Sequence, residues 1–75
     1  MKAYVLINAS PGRALEVARK IQGQAGITAA DAITGEYDVI AVCEAADVNA
    51  IGQLIVDKIQ KIDGVFKTVT CLAVK

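Results

Sequence analysis

The side chains that most often carry catalysis are sparse in this sequence. Its 75 residues contain no histidine, one serine and two cysteines. Ser10 has no histidine to act as its general base, and a helix N-cap explains it better. Cys43 and Cys71 lie inside apolar runs, where burial disfavours the reactive thiolate. We therefore expect two buried core thiols and no enzyme active site.

The two cysteines also make a poor metal site. Cys43 and Cys71 form no Cys-x-x-Cys pair, and without histidine an ordinary zinc site cannot be built. A disulfide between them stays open as an alternative, although free thiols are favoured. The sequence predicts neither a metal nor a cofactor.

Four carboxylates cluster around one turn between two apolar runs: Asp31, Glu36, Asp38 and Glu44. Paired carboxylates can perform acid–base chemistry or bind a hard cation, but turn polarity and protection of a sheet edge are simpler explanations. Asp38, beside Tyr37, could accept hydrogen bonds from the ammonium group of a small zwitterion such as an amino acid. The simpler alternative is that Asp38 ties down the hairpin.

The segment "NASPGR", residues 8–13, resembles a loop that leads into a helix N-terminus, where an anion can bind. It lacks the glycine spacing of a P-loop or dinucleotide fingerprint. It also lacks the arginine-bearing loop and the asparagine of an acylphosphatase. Helix capping remains the favoured explanation.

Six elements must position these residues. Ala3–Ile7 and Val39–Cys43 are apolar on both sides, as in central strands. Residues 27–34 predict an edge strand, with Ile27, Ala29, Asp31 and Ile33 on one side, followed by a two-residue turn at Gly35-Glu36. The final strand, residues 65–75, has Val65, Lys67, Val69, Cys71 and Ala73 on one side.

Two amphipathic helices complete the pattern. Ser10 as N-cap and Pro11 at the first position predict a helix that a left-handed Gly26 would end; its stripe is Ala14, Val17, Ala18, Ile21 and Ala25. Asp47 caps the second, which Asp63-Gly64 would end; its stripe is Val48, Ile51, Leu54, Ile55, Ile59 and Ile62.

An internal repeat relates the two halves of the chain. A shift of 38 residues places Ile21, Gly26 and Ile27 on Ile59, Gly64 and Val65. Two strand–helix–strand halves joined by a hairpin predict an α+β, ferredoxin-like βαββαβ sandwich with the first and third strands in the centre of a four-stranded antiparallel sheet. Both helices would cover one face of this sheet.

The other face of that sheet needs a cover of its own. The first strand offers either Tyr4 and Leu6 or Val5 and Ile7 to the face without helices, and either pair is too apolar to leave in water. We expect a second copy of the sheet to cover it in a twofold dimer. The composition agrees, because 55% of the residues are hydrophobic and the mean hydropathy is +0.47.

The length and charge of the chain exclude further classes of protein. Residues 1–75 predict a single domain near the lower size limit for independent folding. Eight basic and eight acidic residues give zero formal net charge, and the dispersed basic residues argue against a nucleic-acid surface. No apolar run is long enough to span a membrane, and no secretory signal is recognisable, so we expect a cytoplasmic protein.

At "TGEYDVI" and "IDGVFKTVTCLAV" the chain resembles the effector domain of the Lrp/AsnC family of feast/famine regulators, also called the RAM domain. That family's hairpin carries a Gly-x-x-Asp motif, matched by Gly35 and Asp38, often with an aromatic residue at the position of Tyr37. Its last helix runs into a stretch like Asp63-Gly64-Val65 and then a threonine-rich strand. The resemblance covers the whole chain.

The resemblance implies a dimeric α+β barrel whose dimers associate into larger oligomers. It also implies a free amino acid bound between dimers near the hairpin, which alters assembly and thereby gene regulation. Gly35, Tyr37 and Asp38 match the hairpin of the binding site, and Thr68, Thr70 and Cys71 match last-strand positions associated with the effector response.

This chain departs from full-length family members because it starts at the first effector-domain strand, without the helix-turn-helix. We expect a stand-alone RAM domain that does not bind DNA itself and either co-assembles with a full-length regulator or acts as a free amino-acid-binding oligomer.

Other functions stay open. One alternative is a ligand-free dimerisation module, and another is a small enzyme such as a dimeric α+β-barrel monooxygenase or an isomerase, which often needs the histidine that is missing here. An ACT-type amino-acid sensor, with Gly12 at its first strand-to-helix turn, is a functionally close relative.

Overall fold

The computed structural model describes residues 1–74. The elements follow the order β1 (Lys2–Ala9), α1 (Ala14–Ile21), β2 (Ile27–Ala32), β3 (Val39–Glu44), α2 (Val48–Leu54) and β4 (Val65–Leu72). A π-helical segment, Ile55–Ile59, continues α2. All neighbouring strands pair antiparallel, in the order β2-β3-β1-β4, so the ferredoxin-like prediction with β1 and β3 in the centre is confirmed.

The hydrophobic core lies between one face of this sheet and the helices. The central strands contribute Ala3, Val5, Ile7, Val39, Ala41 and Cys43 to it, and the helices contribute Val17, Ala18, Ile21, Ile51, Ile55 and Ile59. Because alternate residues of a strand point to opposite faces, the remaining residues of β1 and β3 form the face without helices. We call it the open face.

The structure shows which residues of β1 belong to the open face. Val5 and Ile7 face the helices, whereas Tyr4 and Leu6 lie on the open face. Cross-strand partners share a face, which places Ile40 and Val42 of β3 and Val69 and Cys71 of β4 beside them. Leu6, Ile40, Val42 and Val69 are only half-buried. A continuous apolar surface therefore runs across three strands of the single chain.

Two predictions of which strand residues share a face of the sheet are wrong, because the strands contain bulges. A bulge between Ile27 and Ala29 puts Ile27 opposite the buried Cys43, so Ile27 does not share a side with Ala29. In the β1–β4 pair the register shifts between Asn8 and Ala9, which places Val65 opposite Ala9 on the core side and Lys67 opposite Asn8. Val65 and Lys67 therefore lie on opposite faces, although strict alternation puts them together.

The first helix is shorter than predicted at both ends. It begins after Arg13 rather than after Ser10, because the carbonyl of Ser10 accepts a hydrogen bond from the Arg13 N–H in a turn (3.0 Å). It ends at Ile21, well before Gly26, since Gln22 already has an extended conformation. Gly26 does have a positive φ of 86°, but there it leads into β2.

The second helix begins as predicted, with the Asp47 carboxylate accepting a hydrogen bond from the Ala50 N–H at 2.8 Å. The helical segment ends at Ile59 rather than running on to Asp63. Among residues 1–74, no helix has both the length and the apolar character needed to cross a membrane.

The internal repeat is visible in the structure, with one exception at Val56. Gly26 and Gly64 both adopt positive φ, at 86° and 105°, and Ile21 and Ile59 are both fully buried. Val56, however, is exposed, whereas its counterpart Ala18 is buried. Val56 lies within the π-helical segment Ile55–Ile59, whereas Ala18 lies in a regular α-helix.

Candidate functional site

The connection between β2 and β3 is longer than the predicted two-residue turn. It comprises residues 33–38 and is closed by a hydrogen bond from the Ile33 N–H to the Asp38 carbonyl (2.9 Å). The Asp38 N–H, in turn, donates to the carbonyl of Ile7 on β1, at 2.9 Å. The hairpin is thus anchored on β1 as well as on its own two strands.

The Asp38 side chain strengthens this anchor. Its Oδ2 accepts a hydrogen bond from the backbone N–H of Ala9 at 2.8 Å, in a half-buried position. A carboxylate that accepts from a backbone amide makes a charge-assisted bond, stronger than a neutral one. Asp38 therefore ties down the hairpin, as the simpler of the two sequence interpretations predicted.

Asn8 is a second anchor that the sequence interpretation missed. Its side-chain Nδ2 donates a hydrogen bond to the carbonyl of Glu36, at 3.0 Å. The available signal was its position, since Asn8 is the first polar residue after the apolar run of β1. With Ile7 and Ala9 it gives three successive residues of β1 that contact the hairpin.

Gly35 and Tyr37 lie in the same connection. Gly35 is exposed and has a φ of 121°, a conformation that L side chains rarely adopt, yet a Cβ there would meet nothing within 4 Å. Backbone conformation, not lack of space, therefore favours glycine. Tyr37 is half-buried, next to Asp38. Gly35, Tyr37 and Asp38 thus all lie in the connection of residues 33–38.

The three last-strand candidates are divided between the two faces of the sheet. Thr68 lies opposite Ile7 on the core side, where its Oγ1 accepts a hydrogen bond from Gln60 Nε2 (3.0 Å). Thr70, opposite Val5, shares that side but is exposed. Cys71 lies opposite Tyr4 on the open face. Of these three, Thr68 lies nearest the hairpin, because its partner Ile7 accepts the hydrogen bond of the Asp38 N–H.

The cysteines are both free, and only one is buried. Burial raises the pKa of the Cys43 thiol above its ordinary value. Cys71 is exposed in the single chain, so the expectation of two buried thiols is wrong for this residue: β4 is an edge strand that the helices do not cover at this point. The two thiols also lie on opposite faces of the sheet, which rules out a bridge between them in this fold.

An ion-pair cluster joins the loop before α1 to the turn before β4. Arg13 contacts Glu16 at 2.6 Å and Asp63 at 3.1 Å, and Lys20 contacts Glu16 at 3.0 Å. The hydrogen bonds from Arg13 and then from Lys20 lower the pKa of Glu16 to about 2. The hydrogen bond to Glu16 likewise raises the pKa of Arg13. Nearby, the Ser10 N–H donates to the Gly64 carbonyl at 2.8 Å.

The part of the chain that the structure describes forms no ligand-sized pocket by itself. Nor does any group of three or more acidic or cysteine side chains there have the arrangement of a metal site. Of the acids that cluster in the sequence, Asp38 anchors the hairpin and Glu36 lies in it, while Asp31 and Glu44 are exposed residues of β2 and β3.

Known proteins resemble this chain over its whole length. The family model of the Lrp/AsnC ligand binding domain matches residues 2–75. An uncharacterized HTH-type transcriptional regulator of Pyrococcus furiosus is 32% identical over 74 residues, which cover 95% of this chain and 49% of that protein. The chain thus spans about half the length of the curated relatives it matches.

Solved structures also resemble this chain over nearly its whole length. A crystal structure of a Thermus thermophilus protein superposes with a TM-score of 0.90 at 27% identity, covering 99% of this chain and 92% of that one. A transcriptional regulator of Neisseria meningitidis, solved as a complex with L-Met, gives 0.84 at 21% identity over 99% of this chain and 49% of that one, a likeness that shows the fold alone. The family is regulatory, and the chain belongs to it as an Lrp/AsnC ligand-binding domain.

Proposed function

We propose that this chain is a cytoplasmic amino-acid sensor of transcription regulation, which binds a free amino acid at an interface between copies of itself and changes its assembly on doing so. The observation that carries the proposal is the combination of a ligand-binding-domain sequence with no ligand-sized pocket in residues 1–74. A site that one chain cannot enclose must be completed by another.

The open face provides the first contact for such an assembly. Leu6, Ile40, Val42 and Val69 lie side by side there without helices above them. Pairing two such faces about a twofold axis would remove the apolar surface from water, which is the main driving force for association. The resulting dimer leaves the hairpins at its ends, where further dimers can meet.

At the hairpin, the Gly-x-x-Asp motif supplies the recognition groups. Asp38 has a second carboxylate oxygen besides the one bonded to Ala9. That oxygen can accept from an ammonium group, while the hairpin carbonyls offer further acceptors. DNA binding is not part of this proposal for the chain itself, and a full-length Lrp/AsnC regulator is a candidate assembly partner.

The test is native mass spectrometry of the purified chain with each standard amino acid in turn. We expect a multiple of the 7.8 kDa chain mass that retains one of them or changes its stoichiometry when it is added. A folded protein indifferent to all of them would contradict the proposal.

One variant separates the two roles of Asp38. Asp38→Asn keeps a side-chain oxygen for the Ala9 N–H but removes the charge that an ammonium group needs. We expect it to fold and assemble yet bind the amino acid more weakly. Glu36→Gln, an exposed acid of the same hairpin whose backbone alone bonds to Asn8, is the matched control.

A second function is favoured by the same hydrogen bond. Because the Asp38 carboxylate already bonds to Ala9, its role can be complete within the folded chain, which would then be a ligand-free interaction module. This alternative predicts the same dimer, no response to amino acids, and an Asp38→Asn variant that assembles like the wild type. Co-purification with a longer regulator would support it.

A further inference from the structure

One row of residues crosses the sheet at the hairpin end. Asn8 of β1 stands directly opposite Lys67 of β4. On the other side of β1, the Asn8 amide bonds to the Glu36 carbonyl, and Asp38 bonds to the two neighbours of Asn8, Ile7 and Ala9. Lys67, Asn8 and the hairpin are therefore aligned across adjacent strands.

The β1–β4 bulge determines which side chain occupies the end of this row. Val65 pairs with Ala9, so an unbroken antiparallel ladder would place Phe66 opposite Asn8. The register shift leaves Phe66 as the extra residue, 79% exposed, and brings Lys67 to Asn8 instead. Bulges often re-aim a side chain beside a functional site. Here the result is an ammonium group on the open face.

Among residues 1–74, Lys67 has no ion-pair partner that explains this placement. The ion pairs among residues 1–74 involve Arg13, Glu16, Lys20 and Asp63 alone, and Lys67 is exposed. It is thus an exposed positive charge outside the ion pairs of the described residues, two strands away from the carboxylate of Asp38. Two strand spacings amount to about 10 Å between backbones, which a lysine side chain and a small zwitterion can bridge together.

We propose that Lys67 binds the α-carboxylate of the amino acid whose ammonium group is held at the hairpin. This inference rests on the proposed function and specifies its chemistry. The row places positive charge at the β4 end and negative charge with carbonyl acceptors at the hairpin end, matching the two ends of a zwitterion. The ligand class is an amino acid with a free α-carboxylate, and amines or α-carboxamides are discriminated against at Lys67.

The experiment measures binding by isothermal titration calorimetry. Each standard L-amino acid and its α-carboxamide is titrated into the wild type, Lys67→Gln, Lys67→Arg and Lys61→Gln. Lys61 is an exposed lysine in the turn after the π-helical segment, away from the row, and it forms no ion pair within residues 1–74. Circular dichroism confirms the fold of each variant.

We expect Lys67→Gln to weaken binding of the amino acid about tenfold or more, as loss of a bond to a charged group predicts. Lys67→Arg should retain most of the affinity and Lys61→Gln all of it. The carboxamide should bind the wild type weakly and lose little further affinity in Lys67→Gln.

Two results would overturn the inference and can be told apart. If no amino acid binds the folded wild type, the proposed function fails and the role of Lys67 fails with it. If an amino acid binds but Lys67→Gln retains wild-type affinity, or the carboxamide binds as tightly as the acid, only the role of Lys67 is wrong. If Lys67→Gln does not fold, the role of Lys67 is tested by comparing the affinities of the wild type for the amino acid and for its α-carboxamide.

Discussion

The carboxylate of Asp38 and the backbone N–H of Ala9, 29 positions apart in the sequence, are joined by a 2.8 Å hydrogen bond. This bond connects the hairpin to the end of β1, which continues into the loop before α1. It gives the aspartate of the Gly-x-x-Asp motif a structural task in a single chain, separate from any contact with a ligand. Effects of substituting Asp38 must therefore be divided between folding and binding.

Replacing Asp38 with alanine should lower the free energy of unfolding. The Ala9 N–H would lose its charged acceptor in a half-buried position, at a cost of about 1.5 kcal/mol. Urea denaturation at fixed protein concentration measures this. Glu36→Ala, which removes an exposed side chain, should change stability by less than about 0.5 kcal/mol. Equal stability of the two variants would show that the Asp38–Ala9 bond contributes nothing.

Gly64 is predicted to tolerate substitution less well than an uncrowded turn glycine. It has a φ of 105°, and a Cβ there would lie 3.0 Å from Val17 Cγ2 and 3.2 Å from Arg13 Cζ. Gly64→Ala should therefore cost about 2 kcal/mol or more, since steric crowding adds to the conformational penalty. Gly12→Ala is the control, with a φ of 77° and open space, and should cost about 1 kcal/mol. A smaller loss for Gly64→Ala than for Gly12→Ala would contradict the crowding seen here.

The Glu16 ion pairs should make part of the stability dependent on acid pH. The folded-state pKa of Glu16, about 2, lies below its ordinary value of 4.5. The contribution is therefore fully present above pH 4.5 and is lost as the pH falls towards 2. Thermal unfolding of Glu16→Gln should lack this component, so that its melting temperature approaches that of the wild type at low pH. Because Glu16 is at the surface, added salt should shrink the difference, and a salt-independent gap would count against an ionic origin.

The two thiols should react at different rates. Cys71 is exposed in the single chain, whereas Cys43 is fully buried with a raised thiol pKa. A maleimide should label one thiol per native chain and two in denaturant. In the proposed sheet-to-sheet dimer, Cys71 would be covered, so labelling should slow as the protein concentration rises. Labelling of Cys43 in the native state would contradict the structure.

Introducing a charge on the open face should disrupt the proposed dimer. Leu6→Lys places an ammonium group among half-buried apolar residues of the central strand, where pairing with a second sheet would bury it. Light scattering should show a folded monomer. Leu15→Lys, on the outer side of α1 where the side chain is already 65% exposed, should leave the mass unchanged. A Leu6→Lys variant that stays dimeric would place the interface elsewhere.

The order of the strands in the sheet could be predicted from the sequence, but the bulges within the strands could not. The uniformly apolar runs around Val5 and Ala41 predicted two central strands, and the repeated glycines predicted matching turns before β2 and β4. The bulge that turns Lys67 towards Asn8 could not be predicted, because it depends on how β4 pairs with β1, not on the residues of β4 alone. The sequence alone also could not show which face of the sheet Tyr4 lies on, because this depends on which face the helices cover.

Within the candidate site, the local motif could be predicted from the sequence, but the long-range contacts could not. Gly35, Tyr37 and Asp38 are neighbours in sequence and stay together in the hairpin. The bonds of this hairpin to Ile7, Asn8 and Ala9 join segments about 30 positions apart, and no spacing rule indicates them. The start of α1 was misplaced for a similar reason, since Ser10 is engaged by Gly64 and Arg13 instead of capping the helix.

The last three residues of β1 and the residue that follows them bind two separate turns. Ile7, Asn8 and Ala9 hold the hairpin, and Ser10 holds the turn at Gly64. We predict that these contacts make the two turns one cooperative opening unit. The backbone amides of Ala9, Ser10 and Asp38 should then exchange hydrogen with a common free energy of opening, so that restraint of one turn is transmitted to the other through the end of β1.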